Sequence, residues 1–367
     1  MRIMIAAGGS GGHVYPALAI AEAATTQRPD TKLHFVGSPG GMERGLVRQA
    51  GLDFDRYDEV QAGPVHGVGP LRMVVSAAKL AVGTLQAFGL MVRSRPDVIL
   101  LTGGWSSLPV AVVGWILRVP ILIYLPDIEP GLTIKVLSPF ARQVAVTVND
   151  SQAFFPAGKT VVTGYPLRRA FQEATRENGR MHFGLDPMRK TLLVFGGSLG
   201  SRAVNHALLD ILPELLADAV QVIHVTGTRT WDEVEQRKNA LGNPPGYLAF
   251  PYLHDDMSLA LAAADLVVSR AGASVLGELP QFGLPSILIP LAYFWRYQQR
   301  NADWLAQRGA AVHLAENDMA QGLLPVIRDI LGNQERLRNM QAAAQSLAQP
   351  DGALNVAQAL AQLAEGG

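Results

Sequence analysis

The residues best equipped for chemistry lie near the start of the chain, in the stretch 8–16, which reads Gly-Gly-Ser-Gly-Gly-His-Val-Tyr-Pro. It follows the short apolar run Ile3–Ile5 and precedes an apolar run over 17–24, an order that predicts strand, loop and helix. Glycine lets a backbone approach a ligand closely, and the N–H groups at a helix start favour an anion. The stretch therefore predicts a phosphate-binding loop with His13 at its edge; the alternative is a tight glycine turn without a ligand.

The same pattern returns in the second half of the chain. Residues 196–202 read Gly-Gly-Ser-Leu-Gly-Ser-Arg and follow the apolar run Thr191–Phe195. Predicted strands and helices alternate around both loops, which favours an α/β fold with two doubly wound, parallel-sheet, Rossmann-like domains. We expect one domain to comprise 1–164 with 350–367, and the other to comprise 165–349.

Three sequence features argue against the common nucleotide fingerprints. Neither glycine loop has the G-x-G-x-x-G spacing of dinucleotide-binding proteins, and neither is followed by the Gly-Lys-Ser/Thr of a P-loop. The predicted second strand, Leu33–Val36, ends in Gly37-Ser38 without an acidic residue for a ribose hydroxyl. A nicotinamide or flavin enzyme is therefore disfavoured, although phosphate binding is not.

A third group of residues lies at 269–301. The stretch Ser269–Glu278 runs from a predicted strand end through small residues into a helix, where Glu278 can accept bonds from two neighbouring hydroxyl groups. Gln298 and Asn301 follow the next strand, and their amides both donate and accept hydrogen bonds, which suits sugar hydroxyls. This group indicates a sugar-nucleotide site.

Composition limits the remaining classes. The 367 residues include 49% hydrophobic and 17% charged residues, with zero formal net charge and no cysteine. A large core is expected, nucleic acid binding is not, and disulfides and thiolate metal sites are excluded. We read no signal peptide at the start.

Two apolar segments bear on membrane contact. Val98–Leu117 carries no charge over twenty residues, but its internal glycines and proline favour a buried strand, a loop and a helix over a membrane span. Residues 71–92 form a long apolar helix with basic residues spaced along it. We weigh a core helix against an interfacial helix on a membrane surface, with Leu80–Val92 too short to span.

Several motifs in order resemble the MurG family, the UDP-N-acetylglucosamine–N-acetylmuramyl-(pentapeptide) pyrophosphoryl-undecaprenol N-acetylglucosamine transferases. The resemblance covers nearly the whole chain. The motifs that carry it are 8–19, Gly103-Gly104, Gly131-Leu132-Thr133, Gly164 to Arg168, 196–202, Asp255-Asp256-Met257, Ser269–Glu278, and Gln298 with Asn301-Ala302.

The resemblance implies a GT-B glycosyltransferase, with two Rossmann-like domains facing across a cleft, no metal or other cofactor, and inversion at the sugar. The donor would be UDP-N-acetylglucosamine, bound by the C-terminal domain. The acceptor would be the lipid-linked muramyl-pentapeptide diphosphate, lipid I, bound by the N-terminal, membrane-side domain. The protein would act as a peripheral enzyme at the cytoplasmic membrane face, with a cell-wall synthesis complex as a further partner.

The resemblance also assigns roles to residues. Ser198 would hold the donor diphosphate, Glu278 the ribose hydroxyls, and Arg168 and Gln298 the donor phosphate and sugar. Leu253 or His254 would lie beside the uracil. The remaining substrate contacts would come from Ser10, Gly11, Gly12, Asp127, Ala273, Ser274 and Asn301.

Two residues are candidates for the catalytic base. His13 is the favoured base because a neutral imidazole is available near pH 7. Asp127 is the rival, since it falls where the family has an asparagine, within a loop that reads Tyr124–Pro130 rather than the family's His-Glu-Gln-Asn. That departure favours, as an alternative, a transferase for another lipid acceptor. Two further alternatives are a sugar-nucleotide-binding scaffold without catalysis and, more weakly, a sugar-nucleotide epimerase.

Two further expectations concern structural residues. His224, at the end of a predicted strand, is expected to be a core imidazole rather than a ligand. Asp255 and Asp256 are expected to cap the helix that begins near Met257.

Overall fold

The computed structural model describes residues 1–64, 69–197, 200–291 and 296–366. The chain divides into two compact units, unit 1 (Met1–Arg168 with Pro350–Gly367) and unit 2 (Arg169–Gln349). Unit 1 thus ends at residue 168, where the sequence suggested 164. Each unit is an α/β structure built on a parallel sheet.

Elements are numbered along the chain. Unit 1 contains β1 (Arg2–Ala7), α1 (Gly11–Gln27), β2 (Lys32–Gly37), α2 (Glu43–Gln49), β3 (Arg56–Glu59), α3 (Pro70–Ser94), β4 (Val98–Gly103), α4 (Ser107–Ile116), β5 (Ile121–Leu125), α5 (Leu132–Leu137), a 3₁₀ turn (Ser138–Phe140), β6 (Gln143–Val146), a 3₁₀ turn (Asn149–Phe154) and β7 (Thr160–Val162). Across the described residues of this unit, the strand order is β3-β2-β1-β4-β5-β6-β7. All of these pairings are parallel, so the carboxyl ends of the strands share one edge.

Unit 2 repeats the plan. It contains α6 (Arg169–Glu173), α7 (Arg176–His182), β8 (Thr191–Phe195), α8 (Arg202–Ala217), β9 (Gln221–Val225), α9 (Trp231–Ala240), β10 (Tyr247–Phe250), α10 (Met257–Ala263), β11 (Leu266–Ser269), α11 (Val275–Gln281), β12 (Ser286–Leu288), α12 (Arg296–Gln307), β13 (Ala311–His313), a 3₁₀ turn (Glu316–Asp318), α13 (Met319–Gly332) and α14 (Gln334–Ser346). Its described strands pair in the order β10-β9-β8-β11-β12-β13, again all parallel. The chain then returns to unit 1 as α15 (Gly352–Glu365).

The central strands of both sheets are buried on both faces, which explains their continuous apolar sequences. In unit 1, every residue of β4 and β5 is buried. In unit 2, the same is true of β8 and β9. Burying a large aliphatic side chain stabilises a fold by about 1.5–3 kcal/mol, so these runs fix the sheet interior.

The uncharged segment Val98–Leu117 is confirmed as strand, loop and helix, because it forms β4, a glycine loop and α4. The expected capping of α10 is only half right. Asp256 occupies the N-cap position, but its side chain makes no capping hydrogen bond and instead lies 3.4 Å from Nε2 of His182.

Helix α3 is unusually exposed for an apolar helix. It buries one narrow stripe, Ser76, Gly83, Ala87 and Met91. Its exposed large apolar residues are Leu71, Met73, Val74, Val75, Val82, Leu85, Phe88 and Val92, which we call the α3 face. Within the described residues, Leu71–Ser94 is the helix long and apolar enough to cross a membrane, judged by length and composition only, with a mean hydropathy of 1.5 over its most apolar 18 residues.

Candidate active site

The first glycine loop connects β1 to α1 at the carboxyl edge of the unit 1 sheet. Ser10 is the N-cap residue of α1, in an extended conformation, but its side chain makes no capping hydrogen bond. The first turn of α1 carries no acidic residue. Because early N–H groups of a helix lack intrahelical partners, Gly11 and Gly12 present donors at the positive end of the helix dipole. This arrangement suits an anion.

His13 stands in the first turn of α1, and its ring is anchored from the loop. Nδ1 lies 2.9 Å from the carbonyl oxygen of Gly8 and 3.5 Å from Oγ of Ser10. A carbonyl oxygen only accepts hydrogen bonds, so Nδ1 carries the proton in this contact. The lone pair of the neutral ring is then on Nε2, which is the atom available to take a proton from a substrate.

The end of β4 packs directly against this loop. A Cβ at Gly103 would lie 2.8 Å from Nε2 of His13, and a Cβ at Gly104 would lie 2.6 Å from the carbonyl oxygen of Gly8. Both glycines have positive φ angles, 127° and 86°. Thr102, also at this strand end, donates a 2.8 Å hydrogen bond to the carbonyl oxygen of His13. The position of the imidazole therefore depends on Gly103 and Gly104 having no side chains.

On its other side, the loop contacts a buried acid. Glu43, in the first turn of α2, is 1% exposed, and its Oε1 accepts a 3.1 Å hydrogen bond from the backbone N–H of Gly9. Its Oε2 has no hydrogen-bond partner among the described residues. The nearby Tyr57 hydroxyl is also buried without a partner, and burial, followed by the charge of Glu43, raises the pKa of Tyr57 to about 12.

Arg168 lies near the same helix start. Its guanidinium carbon is 4.9 Å from the centre of the Tyr15 ring, a cation–π distance. Tyr15 is two residues beyond His13, in α1. The structure thus places the cationic Arg168 on Tyr15 of the helix that begins at Gly11 and Gly12.

Asp127 lies in the loop that follows β5. In the unit 1 sheet, β4 separates β5 from β1, which places the two strand ends about 10 Å apart at the usual strand spacing. Asp127 interacts electrostatically with the buried Tyr124. The Tyr124 hydroxyl lies 2.7 Å from Oγ1 of Thr147, within hydrogen-bond distance. Burial chiefly raises the pKa of Tyr124 well above its usual value, and the Asp127 charge adds to that effect. Asp127 and His13 therefore share a sheet edge but belong to different loops.

In unit 2, the second glycine loop leads to a differently fixed helix. Ser201 is the N-cap of α8 and accepts a hydrogen bond from the N–H of Val204. The same hydroxyl accepts a 3.0 Å hydrogen bond from Nε of Arg270, which is 8% exposed and ion-paired with Glu316. Residues 198 and 199 are not described, so the predicted phosphate ligand Ser198 lies outside the described residues.

The other predicted donor residues surround α11 and α12. Ala273 and Ser274 form the small-residue turn before α11, and Glu278 lies in its first turn, where its N–H bonds to the carbonyl of Ser274 at 2.8 Å. Oε1 of Gln298 accepts a 3.2 Å hydrogen bond from the N–H of Leu291. Leu253 is partly exposed in the loop between β10 and α10.

Asn301 differs from the other predicted donor residues. Its side chain is fully buried, and Nδ2 donates a 3.1 Å hydrogen bond to the carbonyl of Ala271. It therefore holds the turn before α11 from within the unit, and a direct contact between Asn301 and a substrate stays a prediction.

His224 is confirmed as a core residue. Nδ1 lies 2.8 Å from the Tyr247 hydroxyl and Nε2 lies 3.0 Å from Oδ1 of Asn205. The ring is completely buried, and burial lowers its pKa to about 3. Among the described residues, no group of three or more His, Asp or Glu side chains could hold a metal ion.

Comparison with known proteins places both units in one family. Residues 3–146 match the glycosyltransferase family 28 N-terminal domain, and residues 191–356 match the C-terminal domain of the same family. The enzyme named UDP-N-acetylglucosamine–N-acetylmuramyl-(pentapeptide) pyrophosphoryl-undecaprenol N-acetylglucosamine transferase in Halalkalibacterium halodurans is 34% identical over 360 residues, covering 96% of this chain and 97% of its own. The chain belongs to the MurG family of glycosyltransferases.

Solved structures agree with this membership. MurG from Acinetobacter baumannii superposes with a TM-score of 0.77 at 26% identity, covering 98% of this chain and 99% of its own. The UDP-GlcNAc 2-epimerase from Neisseria meningitidis, solved with UDP-GlcNAc bound, has a TM-score of 0.69 at 11% identity, covering 99% and 100%. That second likeness shows the shared fold alone. The expected GT-B class, with two Rossmann-like parallel-sheet domains, is confirmed.

Within this MurG-family fold, three residues were not foreseen from the sequence. Glu43 contacts the first loop from β2's side, Thr102 holds the backbone of His13, and Arg270 ties the second loop to Glu316. Of the three, only Arg270 could have been singled out from the sequence, because a lone cation at the end of a predicted buried strand is unusual. Glu43 follows a glycine-rich turn, 37–41, at the end of β2. This turn brings Glu43 to the first glycine loop only because β2 pairs with β1, a pairing that the sequence does not show.

Proposed function

We propose that this protein transfers N-acetylglucosamine from UDP-N-acetylglucosamine to N-acetylmuramyl-(pentapeptide) pyrophosphoryl-undecaprenol, the lipid I to lipid II step of peptidoglycan synthesis. The observation that carries the proposal is the match of both units, over nearly the full chain, to transferases with this name. The likeness to epimerases is limited to the fold, since those structures share only 11–14% identity with the chain.

His13 is the proposed catalytic base. As the acceptor hydroxyl oxygen forms a bond to the anomeric carbon, its proton passes to Nε2, and the bond from that carbon to the UDP oxygen breaks with its electron pair on UDP. The contact between Nδ1 and the carbonyl of Gly8 supports this role, because it keeps the Nε2 lone pair free of the proton. Attack from the face opposite to UDP inverts the anomeric centre.

Donor recognition is assigned to unit 2. Glu278 accepts the ribose hydroxyls, Gln298 contacts the sugar, Leu253 or its neighbour His254 lies beside the uracil, and Ser198 holds the diphosphate. The small turn at Ala273 and Ser274 supports this assignment, since it lets a ligand approach the backbone at the end of β11. Asn301 contributes by fixing that turn through Ala271.

Recognition of a substrate diphosphate in unit 1 is assigned to the first loop. The N–H groups of Gly11 and Gly12, the hydroxyl of Ser10 and the guanidinium of Arg168 together offer donors and positive charge. In the absence of a metal ion, such donors stabilise phosphate charge during transfer. Asp127 is the second candidate for the base. It lies in the loop after β5, at the same sheet edge as the first loop, with β4 between β5 and β1.

The direct test is a transfer assay with a short-chain lipid I analogue and UDP-N-acetylglucosamine. We expect a disaccharide-lipid product and equimolar UDP. Transfer to a different lipid, with none to lipid I, would favour another acceptor. Formation of an epimerised sugar nucleotide without acceptor would indicate an epimerase, and binding of the donor without any product would indicate a scaffold.

The site of action follows from the acceptor and from the α3 face. A lipid-linked acceptor must be collected from a membrane, and the α3 face exposes apolar side chains with Arg72, Lys79 and Arg93 on the same helix. Apolar residues that enter an interface alongside cations are typical of peripheral binding. We assign α3 to the cytoplasmic membrane surface, lying along it rather than across it; a cell-wall synthesis complex is a further proposed partner.

Sedimentation with anionic phospholipid vesicles tests this assignment. Leu85→Ser with Phe88→Ser is expected to weaken vesicle binding about tenfold or more, because two large apolar side chains no longer enter the lipid. The matched control is Met181→Ser with Met188→Ser, two exposed apolar residues of unit 2. Equal binding of both variants would contradict the assignment.

A further inference from the structure

One peptide group in the first glycine loop is engaged at both ends. The Gly8–Gly9 peptide donates its N–H to Oε1 of Glu43 at 3.1 Å, and its carbonyl oxygen accepts from Nδ1 of His13 at 2.9 Å. The carboxylate, the peptide and the imidazole therefore form one continuous chain of hydrogen bonds. His13, at the end of this chain, is the proposed base.

Glu43 is buried in a space that is shaped around its carboxylate. Its side chain is 1% exposed, makes no ion pair among the described residues, and leaves Oε2 buried without a partner. Space for it exists because Gly8 and Gly41 have no side chains, as a Cβ on either would collide with its carboxylate. A buried, incompletely paired carboxylate is costly, and such groups call for a functional explanation.

We propose that Glu43 is a positioning residue for the reaction, acting on His13 through the Gly8–Gly9 peptide. This inference rests on the proposed function, in which His13 takes the acceptor proton. A negative charge on the N–H side of a peptide increases electron density on its carbonyl oxygen, and hydrogen bonds in such chains strengthen one another. The carbonyl of Gly8 then holds the Nδ1–H more strongly and stabilises the imidazolium that forms when Nε2 accepts the proton.

The proposed role differs from that of a loop clamp, a residue that only holds the glycine loop in place through the N–H of Gly9. A clamp needs only an acceptor for the N–H of Gly9, and a neutral amide would supply it. The charge becomes useful only when the ring gains a proton, which occurs during transfer. The effect of removing the charge should therefore fall on kcat and should depend on the presence of the His13 ring.

A control for local disturbance lies in the same part of the sheet. Glu59, in β3, accepts a 3.1 Å hydrogen bond from Nε of Arg44 in α2, the residue directly after Glu43. Like Glu43, it also bears on the pKa of Tyr57. It makes no hydrogen bond to the first glycine loop in the described structure, so Glu59→Gln removes a neighbouring charge without touching the Gly8–Gly9 peptide.

The experiment compares Glu43→Gln in two backgrounds, the natural chain and His13→Ala, with Glu59→Gln as the control and steady-state transfer to a lipid I analogue as the measurement. The glutamine keeps an acceptor for Gly9 and removes the charge. We expect Glu43→Gln to lower kcat about 3- to 10-fold with the KM values of both substrates within about twofold. In the His13→Ala background it should change kcat less than about twofold, because its target is gone.

Each opposing result has a distinct meaning. If His13→Ala loses activity but Glu43→Gln keeps the full kcat, the inference about Glu43 is wrong and the proposed function stands. Equal losses in both backgrounds, or a raised KM at unchanged kcat, would reduce Glu43 to a loop clamp and overturn the inference. If His13→Ala keeps full activity, or the natural chain makes no product, the base assignment or the proposed function fails, and the inference fails with it.

Discussion

The two glycine loops have similar sequences but different supports. In unit 1, the N-cap Ser10 makes no capping bond, and the helix start carries the partly exposed His13. In unit 2, the N-cap Ser201 caps its helix and is itself bonded to the buried Arg270. The comparison shows that one strand–loop–helix pattern leaves a histidine partly exposed at the first helix start and ties the second helix start to a buried cation.

The two most informative histidines show the same contrast. His13 bonds through one nitrogen and leaves the other for chemistry, whereas His224 uses both nitrogens in the core of unit 2. Whether a histidine can exchange a proton with a substrate therefore depends on what surrounds its second ring nitrogen. In His13 that atom is Nε2, which makes no hydrogen bond among the described residues, whereas in His224 both nitrogens are bonded. The following predictions test the proposed division between a unit 1 that carries the catalytic base and a unit 2 that binds the donor.

The largest expected effect comes from His13→Ala. Loss of the proposed general base is expected to lower kcat by about 10²–10⁴-fold, with the KM for the donor nearly unchanged because we assign donor binding to unit 2. Steady-state transfer to a lipid I analogue measures it. The control is His206→Ala, a histidine of α8 that pairs with Glu233 at 2.6 Å. A larger loss in Asp127→Asn than in His13→Ala would instead make Asp127 the base.

The reciprocal prediction concerns Glu278→Ala in unit 2. Losing the proposed charged acceptor for the ribose hydroxyls is expected to raise the KM for UDP-N-acetylglucosamine about 10- to 100-fold, while kcat changes far less. The exposed Glu214 of α8 provides the matched control, Glu214→Ala. An unchanged KM would remove Glu278 from the donor site and weaken the division between the units.

A third prediction uses the pH dependence of stability. The native pKa of His224 is about 3, against about 6.5 in an unfolded chain, so the unfolded state binds the extra proton as the pH falls below 6.5. This one group should cost about 2 kcal/mol of unfolding free energy between pH 7 and pH 5. Urea unfolding of the natural chain and of His224→Gln should show a shallower loss in the variant; equal losses would contradict the buried, neutral ring.

The smallest expected effect distinguishes the two N-caps. Ser201→Ala removes a cap and an acceptor for Arg270, and should lower the unfolding free energy by about 1 kcal/mol. Ser10→Ala removes no capping bond and should change it by less than about 0.3 kcal/mol. Urea unfolding of both variants compares the loops directly, and similar costs would mean that the two helix starts are supported alike.

Local patterns in the sequence were sufficient for the elements with strong apolar character. The segments β1–α1, β4–α4 and β8–α8 each show an apolar strand, glycines and an apolar-periodic helix, so their order and type were predictable. Three elements lacked that character. Strand β3 (Arg56–Glu59) is short, polar and at a sheet edge, and the polar stretch after Arg168 gives no apolar signal for α6 and α7.

Parts of the site depend on long-range packing and were not predictable. His13 could be placed because its loop and helix are contiguous in sequence. Glu43 reaches Gly9 only because β2 pairs with β1, and Asn301 supports Ala271 only because α12 packs near α11. Such contacts join residues about 30 positions apart, a distance over which residue types and spacing carry no information on register.

The return of the chain to unit 1 has a consequence for biosynthesis. Helix α15 packs on α1, β4 and β5, and Nδ2 of Asn355 donates a 3.0 Å hydrogen bond to the carbonyl of Thr163. The ribosome therefore delivers this helix of unit 1 only after all of unit 2. Until then, the nascent first unit exposes the apolar surface that α15 will cover, while unit 2 has every segment it needs to finish folding. Unit 1 is thus completed after unit 2, although most of it is synthesised first.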